Sequence, residues 1–275
     1  MRMPNTASRI LLSFIAVLLC CSSPLFADTN LPSPTTLSYD ILKEETHDSR
    51  SFTQGWEIAE GFIYESSGGY GRSFIRKSSY PEHTTQLEKR LPPNWFAEGL
   101  TVIDDRLYLL SWRQQKGLLL DTKELKPLAQ FHYAGEGWGI CHMDDKIYMS
   151  NGSGNLQIFN TRFQKQGELT LPANNQGRPW NRLNELECAK GLIWANIWQE
   201  KRVIAIDPHS ADVKYQLDLS ALGSAMSSSD AVLNGIAFDD QADAFWFTGK
   251  LWPTRYLLRL NLPRETTPSA QTADQ

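Results

Sequence analysis

Carboxylates, carboxamides, indoles and one ammonium recur at matched spacing along this chain. Brought together, they could move a proton, hold a polar substrate and shut out water. Five short segments share one pattern, a polar residue, usually glycine, then an apolar residue: Gln54-Gly55-Trp56, Glu98-Gly99-Leu100, Glu136-Gly137-Trp138, Asn184-Glu185-Leu186 and Asn234-Gly235-Ile236. The steps between their leading residues are 44, 38, 48 and 50. Fourteen to sixteen residues after each leader stand Gly68, Trp112, the Asn151-Gly152 turn, Trp198 and Lys250. Taken singly, each side chain has a plainer role. Glu98 and Glu136 read as solvated carboxylates, and Lys250 reads as surface. Trp112, Trp138 and Trp198 fit a core as well as a site, whereas Trp56, Trp180, Trp194 and Trp246 read as fillers between sheets. Only convergence would turn them into a pocket.

The period supplies that convergence, because recurrence every 38–50 residues marks repeated supersecondary units. Each unit has a strand carrying the pattern, then a turn such as Asp104-Asp105, then a short aromatic strand such as Leu107-Tyr108-Leu109. A third strand follows, for example Leu118-Leu119-Leu120, and a fourth, for example residues 128–133. Four strands in such a unit make a propeller blade, so an all-β, five-bladed propeller of four-stranded antiparallel blades is expected. The fifth unit lacks a fourth strand. The lone strand at 37–42 is predicted to supply it by pairing with the third strand of the last blade, which removes an open edge. In this architecture the first strands line a central channel. The leaders Gln54, Glu98, Glu136, Asn184 and Asn234 then form a ring at one face, beneath the ends of the second strands. A floor of amides and carboxylates below indoles and one lysine is a binding pocket.

Composition narrows the function. Arg2 and Arg9 precede an apolar run to Cys21, and Ala27 ends a small-residue stretch, so residues 1–27 are expected to be a secretory signal peptide. Leu19 is bulkier than a lipid-attachment signal at Cys20 or Cys21 prefers. Residues 28–36 are expected as a linker, 37–262 as the propeller and 263–275 as a disordered tail. A periplasmic or extracellular location and no membrane association after signal removal follow. Removing the signal takes the formal charge from −4 to −6, which argues against a nucleic-acid partner. Cys141 and Cys188 remain; an exported chain permits a disulfide, but two buried free thiols are the plainer expectation. Five scattered histidines offer no zinc spacing, and no Gly-x-Ser-x-Gly elbow supports an acyl-enzyme.

Several longer blocks are specific. Phe52-Thr53-Gln54-Gly55, Tyr64-Glu65-Ser66-Ser67-Gly68, Tyr70-Gly71-Arg72-Ser73, Glu98-Gly99-Leu100, Gly137-Trp138-Gly139, residues 182–187 with 194–198, and residues 232–237 with 248–253 resemble the plant and bacterial glutaminyl-peptide cyclotransferases, in order and spacing. The resemblance implies a five-bladed propeller that converts N-terminal glutamine of peptides or proteins to pyroglutamate with release of ammonia, an acyltransferase of the aminoacyl-transfer class. It implies that Glu98 is the catalytic glutamate and that Phe52, Gln54, Trp112, Trp138, Asn184, Trp198 and Lys250 surround the substrate. No step of such a reaction calls for a metal or cofactor, and a monomer is expected. Ala97, Asn151 and Trp180 depart from the family's usual residues. The rival readings are a propeller that binds peptides or sugars without turnover and a calcium-dependent lactonase, for which the ring offers only Glu98 and Glu136.

Overall fold

The strands follow from side chains that are buried on both faces. In the computed structural model, which describes residues 33–223 and 228–263, the chain folds into five antiparallel sheets. The first blade holds β3 (Thr53–Ala59), β4 (Phe62–Ser67), β5 (Phe74–Ser79) and β6 (Thr85–Arg90). The second holds β7 (Ala97–Ile103), β8 (Arg106–Ser111), β9 (Lys116–Asp121) and β10 (Pro127–His132). The third holds β11 (Ile140–Met143), β12 (Lys146–Met149), β13 (Asn155–Asn160) and β14 (Lys165–Thr170). The fourth holds β15 (Leu183–Ala189), β16 (Leu192–Ile197), β17 (Arg202–Ile206) and β18 (Val213–Asp218). The fifth holds β19 (Leu233–Asp239), β20 (Ala244–Gly249) and β21 (Thr254–Leu260). Hairpins join consecutive strands. Glu60-Gly61 and Lys190-Gly191 both sit at positive φ, as a two-residue hairpin of primed type requires.

The core lies between blades. Along β8, Leu107 and Leu109 pack with the first blade, while Tyr108 and Leu110 pack with the third, so alternation here separates two apolar faces. Five such clusters fill the five blade interfaces. Trp56, Trp180, Trp194 and Trp246 belong to them, as expected for core tryptophans. Each fully buried leucine adds roughly 1.5–3 kcal/mol by leaving water.

The ring closes through the N-terminal segment. β2 (Tyr39–Thr46) runs antiparallel to β21, with Tyr39 opposite Leu260 and Thr46 opposite Thr254, and so completes the fifth blade. The strand begins two residues later and ends four residues later than the expected 37–42, since its last residues, Lys43-Glu44-Glu45-Thr46, are polar and carry no alternation. An ion pair from Arg255 to Glu45 at 2.9 Å crosses the closing pair. One stretch of the expected linker is ordered in a sheet: β1 (Thr35–Thr36) runs parallel to β18 on the fourth blade. The chain then buries Leu37 at the fourth–fifth interface before entering β2. The same short segment therefore ties two neighbouring blades. The expected signal peptide and nearly all of the expected tail lie outside the described residues.

The two cysteines are not free thiols. Cys141 on β11 and Cys188 on β15 are joined in a disulfide, with Cα atoms 5.4 Å apart. The free-thiol expectation failed because these innermost strands are neighbours that approach unusually closely, as the ring of glycines shows. A Cβ on Gly55 would lie 2.4 Å from the Leu100 nitrogen, and one on Gly99 would lie 2.8 Å from Gly139. One on Gly139 would lie 2.1 Å from the Asn184 carbonyl oxygen. Only a residue without a side chain fits at those three contacts.

Candidate functional site

The glycine contacts also fix which residue leads each blade. Gly99 N–H donates to the Trp138 carbonyl at 2.7 Å, so Trp138-Gly139, not Glu136-Gly137, is the counterpart of Gln54-Gly55 and Glu98-Gly99. The ring is therefore Gln54, Glu98, Trp138, Asn184 and Asn234. Glu136 as a ring member is corrected by two residues. Above the ring, in four of the blades, the residue that follows the second strand is anchored to the backbone two residues before the leader. Gly68, Trp112, Trp198 and Lys250 donate their N–H groups to the carbonyls of Phe52, Phe96, Arg182 and Val232 at 2.9, 3.0, 2.8 and 2.9 Å. These repeated bonds give all four positions one height on the wall.

One cavity of about 290 Å³ opens there, lined by Phe52, Gln54, Glu98, Trp112, Trp138, Asn184, Trp198 and Lys250. Every site residue expected from the sequence reaches it. Asn234, expected only as part of the floor, turns away and donates to the carbonyls of Thr53 and Gln54 at 2.9 and 3.3 Å, binding the fifth blade to the first. Glu136 stands outside the wall. Its Oε2 accepts the indole N–H of Trp112 at 2.8 Å and of Trp138 at 2.9 Å, and its Oε1 accepts Arg113 Nε at 3.0 Å.

The sequence reading omitted Phe96, Gln199, Ser229, Asp230 and Val232, which also line the cavity. Phe96 was within reach: it precedes Glu98 by two residues, as Phe52 precedes Gln54, and in a strand that puts it on the leader's own face. Val232 precedes Asn234 in the same way. Gln199, Ser229 and Asp230 lie in connections outside the repeat, and no period points to them.

The aromatic wall is built from two contacting groups, one of Phe52, Phe96 and Trp112 and one of Trp138 and Trp198. Phe96 packs against Trp112 at 5.3 Å and edge-on against Phe52 at 6.2 Å, and Trp138 meets Trp198 edge-on at 5.6 Å. Gly152 leaves room for the Trp138 indole, since a Cβ there would come within 2.8 Å of the ring. Against this wall Glu98 is 4% exposed, and its one side-chain partner among the described residues is Gln54, whose Nε2 donates to Oε1 at 3.2 Å. Burial pushes the Glu98 carboxyl well above the usual carboxylate range. The Lys250 ammonium opposes that rise and the Glu136 charge adds to it. Lys250 is itself 5% exposed, its Nζ 5.1 Å from the Phe52 ring centre. Burial brings it down to about 8, against the charges of Glu98, Asp230 and Glu185. Gln54 Oε1 is buried without a hydrogen-bond partner, and the Asn184 amide group has none among the described residues. Two titratable groups pushed toward neutrality and two open amides face one aromatic cavity, which is the equipment for proton transfer on a bound polar group.

Fold and site together define a five-bladed propeller with one desolvated carboxyl group in an aromatic slot at the mouth of its hub. Residues 12–260 match the family described as glutamine cyclotransferase, and the chain belongs to that family. It is 31% identical over 227 residues to the glutaminyl-peptide cyclotransferase of Arabidopsis thaliana, covering 80% of this chain and 71% of that one. The crystal structure of the Myxococcus xanthus glutaminyl cyclase superposes with a TM-score of 0.76 at 33% identity, over 83% of this chain and 98% of that one.

Proposed function

We propose that this protein cyclises the N-terminal glutamine of peptides or proteins to pyroglutamate and releases ammonia. The observation that carries the proposal is Glu98, a buried carboxyl group open to an aromatic cavity and held by one side-chain amide. The substrate's α-amine attacks its own γ-amide carbon, so the nucleophile arrives tethered. The walls need only hold the folded conformer, worth orders of magnitude in effective concentration, and keep water out. Ionised Glu98 takes a proton from the attacking amine as the N–C bond forms. It returns that proton to the amide nitrogen, the C–N bond breaks, and ammonia leaves. A carboxyl group raised above the usual carboxylate range suits both steps, because it holds the proton more firmly between taking and returning it. Lys250 and Asn184 are placed to stabilise the oxygen that gains negative charge. The open Oε1 of Gln54 can accept a substrate N–H.

The reaction so written is an intramolecular aminoacyl transfer that draws on no group beyond these side chains. Export is part of the same proposal, supported by the leader-like residues 1–27 and by a disulfide of the kind oxidising compartments permit. The test is ammonia release from a glutamine-initiated dipeptide in the presence of a metal chelator. The expected result is one ammonia for each pyroglutamyl product. Binding without release would leave a peptide-binding propeller in its place, and loss with the chelator would require a metal.

A further inference from the structure

Glu136 has the polarity of a catalytic acid and lies near Glu98, yet it stands behind the wall rather than in the cavity. We infer that Glu136 is a positioning residue that locks the Trp112 and Trp138 indoles into one rigid wall by accepting both of their N–H groups on a single carboxylate oxygen. The geometry is specific. Trp112 follows the second strand of the second blade, Trp138 leads the third, and Glu136 sits in the connection between them. Two indoles from different blades therefore converge on Oε2 at 2.8 and 2.9 Å. Its other oxygen takes Arg113 Nε at 3.0 Å, and the Arg113 guanidinium lies 3.7 Å above the Trp112 ring, so Trp112 is held at its N–H edge and on one face.

The connection that carries the carboxylate is fixed too. Tyr133 N–H donates to Gln115 and Gly137 N–H to Trp112, each at 3.1 Å, and Trp138 N–H donates to Ser150 at 3.0 Å. Burial alone would raise the Glu136 carboxyl, but the hydrogen bonds from Trp138, Trp112 and Arg113 outweigh it and hold the group below the usual range. The clamp is thus ionised at neutral pH, where charge-assisted bonds are strongest. Trp198 provides the contrast, with an indole N–H that has no hydrogen-bond partner among the described residues and only an edge contact to Trp138. Half of the wall is fixed by a carboxylate and half by packing.

The test has a kinetic arm, which rests on the proposed cyclisation, and a spectroscopic arm, which does not. Replacing Glu136 by leucine removes both acceptors at similar size. The expected loss in kcat/KM on a glutamine-initiated dipeptide is roughly ten- to hundredfold, the range for losing a charged hydrogen-bond partner. In a Trp112→Phe/Trp138→Phe background the indole N–H groups are gone, and Glu136→Leu should then cost less than about twofold further. An equal loss in both backgrounds, or none in the first, overturns the inference. In the unsubstituted protein, the indole N–H resonances of Trp112 and Trp138 should exchange with solvent more slowly than that of Trp198. In Glu136→Leu both should lose that protection while Trp194, bonded to the Ala189 carbonyl, keeps its own. Protection unchanged in either clamped indole refutes the clamp whether or not any variant turns over substrate. If Glu136→Leu does not fold, the exchange contrast in the unsubstituted protein decides alone.

Discussion

The innermost strands carry one cavity at their starts and another at their ends, and both hold buried glutamates. At the starts is Glu98 in its aromatic slot. At the ends a cavity of about 430 Å³ is lined by Glu57, Glu187, Thr101, His142 and the Cys141–Cys188 disulfide. Between them Glu185 stands in the ring where three other blades have the closely packed glycines, and it is buried. Burial raises the carboxyl groups of Glu185 and Glu187 well above the usual range, as it does for Glu98, and brings that of Glu57 to about 7. A raised value therefore marks burial and cannot by itself mark a site. The partners make the distinction. Glu57 accepts the Val102 N–H at 3.0 Å and Glu185 that of Ile236 at 3.0 Å. Each joins its blade to a neighbour through backbone donors. Glu98 accepts only a side-chain amide and faces indoles and an ammonium. The glutamates at the strand ends join blades, and the one at the starts is the proton carrier of the proposed reaction.

The largest expected effect tests the catalytic half of that contrast. Glu98→Gln should lower turnover by about 10²- to 10⁴-fold with a Tm near that of the parent, read by ammonia release and thermal unfolding. Undiminished turnover would remove Glu98 from its role. The structural half predicts the reverse pattern. Reducing the Cys141–Cys188 bond, which closes 47 residues of sequence, should cost about 2–4 kcal/mol of stability. In the same experiment the rate per folded molecule should hold, and a rate that collapses while Tm stands would erase the distinction between the two cavities. Smaller again is Glu185→Ala, which leaves the Ile236 N–H unpaired at about 1–3 kcal/mol. Chemical denaturation should show that loss, with turnover at saturating substrate changed only severalfold.

How much of this contrast was legible in the residues depends on which signal each feature carried. The period and the alternation of core side chains survive in every blade, so the five sheets, the closing strand and seven of the eight expected cavity residues follow from them; Phe52 rests on the family resemblance alone. The third blade misled. In Glu136-Gly137-Trp138-Gly139-Ile140 a glycine precedes an apolar residue twice but only Glu136 is a polar leader, and a slip of two residues in a strand keeps every side chain on its own face. Hydropathy favours the wrong start; the contact between Gly139 and Asn184 identifies the right one. The last residues of β2 are polar on both faces because they form an outer edge, so the alternation that marks Tyr39–Leu42 stops before the strand does. β1 is two residues long and carries no period at all. The disulfide depends on which inner strands touch and how closely, a property of ring closure rather than of either cysteine's neighbours in sequence.

The finest test separates the two cavities by pH. For kinetics, Glu98 must be ionised to take the amine's proton, so turnover should fall as pH drops through its raised value. Lys250 should supply an alkaline limb near 8 if its ammonium supports the oxyanion. Stability runs the other way. A carboxyl group raised in the folded state contributes stability that is fully present below its unfolded value and is lost as pH rises through the folded one. Glu187 should therefore penalise the fold increasingly as pH climbs above the ordinary carboxylate range. Burial holds His83 down at about 4, which gives the opposite slope up to its unfolded value, so the total curve is a poor witness. The difference between Glu187→Gln and its parent isolates the group. Its stability advantage should grow from pH 5 toward neutrality while both kinetic limbs stay where they were. An acid limb that moved with Glu187→Gln would mean that the two cavities share a proton across the hub.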